Sequence, residues 1–345
     1  VAASRPRALL HLALALGLMV VFLYWAFKDV DGWGLVAQLR SASLTWTAAL
    51  VATTLGTLIV RARRWTVLMA SFAPQVTVRD ATVALAICYA ANVVVPRSGE
   101  ALRAVSLKWT RGVVLSAALA TVLVERILDI VFLLLCLGIS FLLVHDRIAE
   151  LFPWMATLGL VAFAGCIVML VVLFAISVYQ ERAVSLLVGG LGRVWPSAAV
   201  RTGALLRTFL AGLDALRSPS SYLEILVGSV VLNVGYVMII YEGFRIVDLG
   251  TGYGLDFGAS LVIMTLSAFG VAVPTPGAAG SYHLFFSKSL VHLYGVPQDK
   301  ALACATAVHA IATLAYLCTG GPALLWQRRN ARAAAAAASE PLPPA

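Results

Sequence analysis

Inside an apolar run from Leu115 to Val144 lies VERILD, Val124 to Asp129, which sets Glu125, Arg126 and Asp129 where charge is costly. Ten residues into a helix rising 1.5 Å per residue is a depth of about 15 Å, near the middle of a hydrocarbon core about 30 Å thick. Ionisable groups at that depth mark paths for ions, protons or polar headgroups. Glu125 and Asp129 stand four apart on one helix face, and Arg126 is three from Asp129. Two readings stay open. Either Arg126 holds an anionic headgroup while Glu125 or Asp129 acts as counter-ion or proton carrier, or the three neutralise one another and lock helices together.

Two stretches broken by proline and glycine supply the remaining candidate chemistry, VVVPRSGEALR (Val93 to Arg103) and VAVPTPGAAGSYH (Val271 to His283). Pro96 has no N–H to donate and Gly99 tolerates positive φ, so the chain is expected to turn there and open a half-helix N-terminus. The free N–H groups and positive dipole of such an end suit a phosphate or carboxylate. Asn92, Arg97, Glu100 and Arg103 surround it, with the two arginines able to contact phosphate oxygens in pairs. A plainer alternative pairs Glu100 with Arg103 at i,i+3. In the second break Pro274, Pro276, Gly277 and Gly280 make the backbone irregular, and Tyr282 and His283 follow at once. His309 sits about 12 Å into the last apolar run. The two histidines either contact a headgroup or relay protons, or else are hydrogen-bonded packing groups. RARRWTVL, Arg61 to Leu68, reads as a basic and aromatic anchor at the membrane surface.

The elements that must position these residues follow from composition. With 61% hydrophobic and 12% charged residues among 345, the chain reads as an integral membrane protein built of α-helices, its apolar runs being far longer than barrel strands. About six transmembrane helices are expected, at Ala8–Phe27, Leu44–Val60, Leu115–Val144, Trp154–Val178, Tyr222–Val247 and Ala301–Trp326. Val78–Thr110 and Phe257–Tyr294 read as broken re-entrant hairpins. The first span, though preceded by Arg5 and Arg7, is too long for a signal-peptide core and reads as a retained helix. Arginines then collect on one side of the membrane, which puts both termini in the cytoplasm and the chain in the cell (inner) membrane. The halves share one order of elements with opposite orientation, an inverted repeat with a midplane site. Residues 1–150 form its first half, 151–180 with 222–330 its second. Residues 181–221 are a cytoplasmic connector, partly an amphipathic helix or simply a linker, and 331–345 a flexible tail.

The net charge of +9 is spread over short loops, so it points to membrane orientation and not to nucleic acid. Cys88, Cys136, Cys166, Cys304 and Cys318 lie in apolar runs without paired spacing and read as packing residues. No phosphate-binding G-x-x-x-x-G-K-[ST] loop, H-E-x-x-H, or G-x-S-x-G motif occurs. No metal, cofactor or catalytic role is therefore expected.

One order of motifs joins these pieces: R-x-R-R-W from Arg61, N-x-x-x-P-R-x-G-E-x-x-R from Asn92 to Arg103, E-R at Glu125 and Arg126, and P-T-P-G-x-x-G from Pro274 to Gly280. Over nearly its whole length the chain resembles the flippase-like membrane region of lysylphosphatidylglycerol synthases and their stand-alone relatives. The resemblance implies movement of lipids between leaflets without ATP, the lipids being aminoacylated or otherwise polar-headed. It carries over to Pro96, Arg97, Gly99, Glu100, Arg103, Glu125, Arg126, Pro276, Gly277 and Gly280. It departs in two places. The aminoacyl-transfer domain of the synthases has no counterpart in these residues, so the chain is not expected to make the lipid, and His283 stands where the family commonly has Glu near the second break. The expected partners are membrane lipids, with a separate lipid-modifying enzyme and self-association left open. Uptake of a small anionic solute, or a role as membrane subunit of a separate transferase, are the alternatives.

Overall fold

Helices satisfy their own backbone hydrogen bonds, so they are the form in which a chain this apolar enters lipid. The computed structural model describes residues 5–28, 30–144, 218–250 and 252–338, with isolated positions between 161 and 179. Among these residues the structure is all-helical. The expected span Trp154–Val178 lies almost wholly outside the described residues. The segment from His145 to Glu150, the connector 181–217, Cys166 and residues 339–345 also lie outside them.

Helix α1 spans Arg5–Phe27, and α2, Gly32–Arg40, turns from it by 88°. Asp31 caps α2, its carboxylate accepting the N–H groups of Trp33 and Gly34 at 3.0 Å each. Helix α3 is Leu44–Met69, α4 Val78–Val94, α5 Ser98–Arg111 and α6 Leu115–Leu143. In the second half α7 is Pro219–Ile246, α8 Phe257–Ala272, α9 Ser281–Tyr294 and α10 Gln298–Ala338. Among the described residues four helices are long and apolar enough to cross a membrane, α3, α6, α7 and α10, or five if the bent α1–α2 pair is one span. Both expected broken hairpins are present, as α4–α5 and α8–α9. Two boundaries differ from expectation. Helix α3 continues nine residues past Val60, and α10 runs on through an alanine tract, alanine being the best helix former, to Ala338.

The buried apolar residues form two clusters. One gathers Leu58, Trp65, Met69, Leu85, Leu107 and Val122 from α3 to α6; the other centres on α7 to α10 with Ile240, Phe244, Ile263, Phe286, Leu290 and Val308, and takes in Leu50 of α3. The halves interlock reciprocally: α3 lies along α7, α10 packs on α4, and α6 packs on α8. Glycine also permits close approach inside a hairpin. At Gly99 a Cβ would stand 2.0 Å from the carbonyl oxygen of Cys88, so the arms of the first hairpin touch backbone to backbone.

Candidate functional site

Helix α3 does not stop at its arginines because Trp65, Val67, Leu68 and Met69 beyond them are apolar and buried. Arg61 and Arg64, three apart, therefore face the protein and not the membrane surface. The surface-anchor reading of these two is corrected; of the three arginines in RARRW only Arg63 faces outward, pairing with the exposed Glu224 of α7.

The inward pair meets the acidic residues of α6. Glu125, fully buried, accepts from Arg61 and Arg126 (3.1 Å) through Oε1, and from Arg103 (3.0 Å) through Oε2. Asp129 accepts from Arg61 (2.9 Å) through Oδ2 and from Arg64 (2.5 Å) through Oδ1, and its Oδ2 pairs with the Arg126 guanidinium at 3.4 Å. Helix α7 contributes hydroxyls: Tyr236 accepts from Arg61 and Ser229 from Arg64, both at 2.9 Å. Helix α5 brings Arg103 over the face of Trp65, 4.7 Å from the ring centre, with Glu100 3.2 Å away. The plainer Glu100–Arg103 pairing is thus present, inside a larger network.

Four guanidiniums face three carboxylates here, so the cluster keeps an excess of one positive charge. Burying so many charges is tolerable because each carboxylate is shared, yet the donors outnumber the acceptors. The Nε–H groups of Arg61, Arg64, Arg103 and Arg126 all lack an acceptor. Arg61, Arg64 and Arg103 are sealed, whereas the Arg126 side chain keeps 41% of its surface, flanked by the partly open Glu100 and Asp129. The cluster has one cationic mouth.

The breaks meet beside it. Arg97 adopts a left-handed backbone (φ 61°) at the start of α5 and donates from Nη2 to the Ala272 carbonyl of α8 at 3.1 Å, across the two halves. Asn92 accepts the Gly99 N–H at 2.8 Å, capping α5 where a free N-terminal donor was expected. Gly277 (φ 56°) lies against Val93 of α4, and Gly280 (φ 83°) against the backbone of Met19 and Leu23 in α1. His309 Nε2 bonds the Gly277 carbonyl at 2.7 Å, and His283 Nδ1 accepts the Gly280 N–H at 3.4 Å. A carbonyl can only accept, so His309 carries its proton on Nε2. The histidine rings, 4.8 Å apart with Tyr282 5.4 Å from His309, thereby satisfy backbone that the Pro274–Gly280 break leaves outside the α-helices. Arg103, Asn92, Tyr282 and His283 hold the site's frame, while Arg126, Glu100 and Asp129 line its mouth.

Sequence reasoning missed Arg61, Arg64, Tyr236 and Ser229. A signal for the arginines existed: Glu100, Glu125 and Asp129 outnumber Arg103 and Arg126, and a buried carboxylate needs a cation. The two kinds of arginine in α3 separate by measurement. Arg64→Ala is expected to cost about 3 kcal/mol, since it strips a buried partner from Asp129, and Arg63→Ala less than about 1 kcal/mol, its pair being exposed. Thermal unfolding of the purified variants in detergent checks both.

A family model described as the lysylphosphatidylglycerol synthase TM region matches residues 10–320. Neither the curated proteins nor the solved structures contain a match.

Proposed function

Since the chain belongs to the lysylphosphatidylglycerol synthase transmembrane-region family, whose membrane region is linked to lipid modification or transport, we propose that it moves a polar-headed lipid between leaflets without ATP and without covalent chemistry. The observation that carries this reading is the half-open Arg126 at the mouth of a cluster with surplus positive charge, held between two carboxylates. A lipid phosphate takes the Arg126 guanidinium in charge-assisted hydrogen bonds. The ammonium of an aminoacylated or amine-bearing head goes to Glu100 or Asp129. The acyl chains stay in the bilayer, so only the head has to be sheltered from hydrocarbon, where an unpaired charge costs several kcal/mol.

The finer architecture belongs to the same proposal. We count α1, α3, α6, the segment 154–178, α7 and α10 as six spans, with the α4–α5 and α8–α9 hairpins entering from opposite sides. Support comes from the repeated order of span, broken hairpin, span, and from the reciprocal packing of α10 on α4 and α6 on α8. Such halves rock against each other about a central site. The arginines near the N-terminus, the outward Arg63 with Arg79, and those at the end of α10 favour cytoplasmic termini in the inner membrane. Lipids are then the partners; a separate lipid-modifying enzyme supplies the headgroup.

In proteoliposomes with a headgroup-labelled anionic phospholipid, the wild-type chain is expected to accelerate crossing. Arg126→Ala is expected to slow it roughly 10- to 100-fold, the loss of a charge-assisted bond of about 1.5–3 kcal/mol, and Glu100→Gln to slow crossing of amine-bearing heads. Vesicles that take up a small anion but move no lipid would defeat the proposal.

A further inference from the structure

One carboxyl stands apart from the cluster. Glu242 of α7 is 2% exposed, and among the described residues it is the one carboxyl so deeply buried with no cation within 4 Å. Its Oε1 accepts a single hydrogen bond, from the Thr53 hydroxyl of α3 at 2.7 Å. Its Oε2 has no partner at all.

The neighbours offer no charge to balance it. Helix α3 carries none before Arg61, and brings the Thr53 hydroxyl. Helix α8 has no titratable side chain. Helix α10 contributes the Cys304 thiol, which packs against Gly243, and its Asp299 and Lys300 turn instead to Gln38 and the Tyr253 ring. On α7 itself Arg245 stands at i+3, yet it donates to the Tyr241 hydroxyl at 2.8 Å and lies over that ring, 5.0 Å from its centre. The core that α3, α7 and α10 share, with Leu50, Ile239, Ile246 and Val308, is buried and apolar. A carboxylate here would have one hydrogen bond where it needs several, and no counter-ion.

We propose that Glu242 is a proton-binding site, carrying its proton as a neutral acid in this conformation and releasing it when α7 and α3 part. An open pocket of about 520 Å³ is lined by Met238, Tyr241 and Arg245, the residues one turn before, beside and one turn after Glu242, and by Asp256, which caps α8. Helix α7 also carries Ser229 and Tyr236, which bind the arginines of the cluster, so movement of α7 alters both places together. The proton site rests on the lipid-transport reading for its purpose, which is to couple headgroup movement to a proton gradient. Under the proposed orientation Glu242 lies toward the outer end of α7, and an acidic outside loads it.

The test has two arms. Infrared difference spectroscopy of the purified chain at neutral pH is expected to show the C=O stretch of a protonated carboxyl that disappears in Glu242→Gln and shifts in Thr53→Val, which removes the lone donor but keeps the acid. Spectra in which neither variant changes a protonated-carboxyl band would overturn the site, whatever the lipid assay shows. In proteoliposomes an acidic exterior is expected to raise the crossing rate of the wild type several-fold and to leave Glu242→Gln unchanged. A Glu242→Gln response equal to wild type, or no response in a wild type that moves lipid, removes the coupling. Absence of lipid movement in every vesicle counts against the transport reading alone, the infrared result still deciding the proton site.

Discussion

Glu125→Gln is expected to destabilise the protein by about 3–5 kcal/mol, the cost of breaking a buried ion pair from one side. Glu125 accepts from Arg61, Arg103 and Arg126 at once, with Arg64 3.8 Å away, and it is fully buried. With the carboxylate gone, four guanidiniums share Glu100 and Asp129. Arg103 keeps Glu100, and Arg61 and Arg64 keep Asp129, so the fold is weakened and not abolished. An amide also places an N–H group against guanidinium N–H groups where the carboxylate accepted. Thermal unfolding in detergent, with Arg63→Ala as the exposed control, reads the difference; an unfolding temperature equal to that of the control would remove Glu125 from the centre of the network.

The second large effect is steric. Gly99→Ala is expected to cost about 3 kcal/mol, at or above the upper end of the usual overpacking range. The added methyl would meet the Cys88 carbonyl oxygen at 2.0 Å and its carbon at 2.7 Å, both backbone atoms that cannot rotate away. It would also press on Asn92 Oδ1 at 2.8 Å, the atom that caps the Gly99 N–H. The hairpin arms must separate, carrying Glu100 and Arg103 away from Glu125. Gly56, whose added Cβ meets nothing within 4 Å, is the control. There an alanine is expected to be neutral or stabilising by up to about 1 kcal/mol, because glycine is a poor residue in a helix interior. Unfolding temperatures of the two variants in one detergent decide the matter.

The elements were largely legible in the sequence because membrane helices announce themselves by length. Leu115–Val144 became α6, Leu115–Leu143, and both proline-glycine breaks fall where expected. Pro96 and Pro276 lack N–H groups, and left-handed Gly277 and Gly280 suit few other residues, so these local signals need no tertiary context. The site was half legible. Glu125, Arg126 and Asp129 stood out because they are charges inside an apolar run. Arg61 and Arg64 did not, because basic residues at the end of an apolar run can mark either the membrane surface or a helix that continues inward. Their partners are more than sixty residues away, and no period of 3.6 residues reveals that. Asn92 and His283 were visible as polar groups near the breaks. That they spend their hydrogen bonds on the breaks' own backbone was not, since it depends on where each turn ends.

Under the proposed function Arg126 is the group that takes a lipid head at the mouth of the charged cluster. A structure of the chain in nanodiscs of anionic phospholipid tests it most directly. A phosphate within hydrogen-bond distance of the Arg126 guanidinium, between Glu100 and Asp129, is the expected result. A phosphate bound elsewhere, with Arg126 closed onto its carboxylates and no head near them, would contradict it.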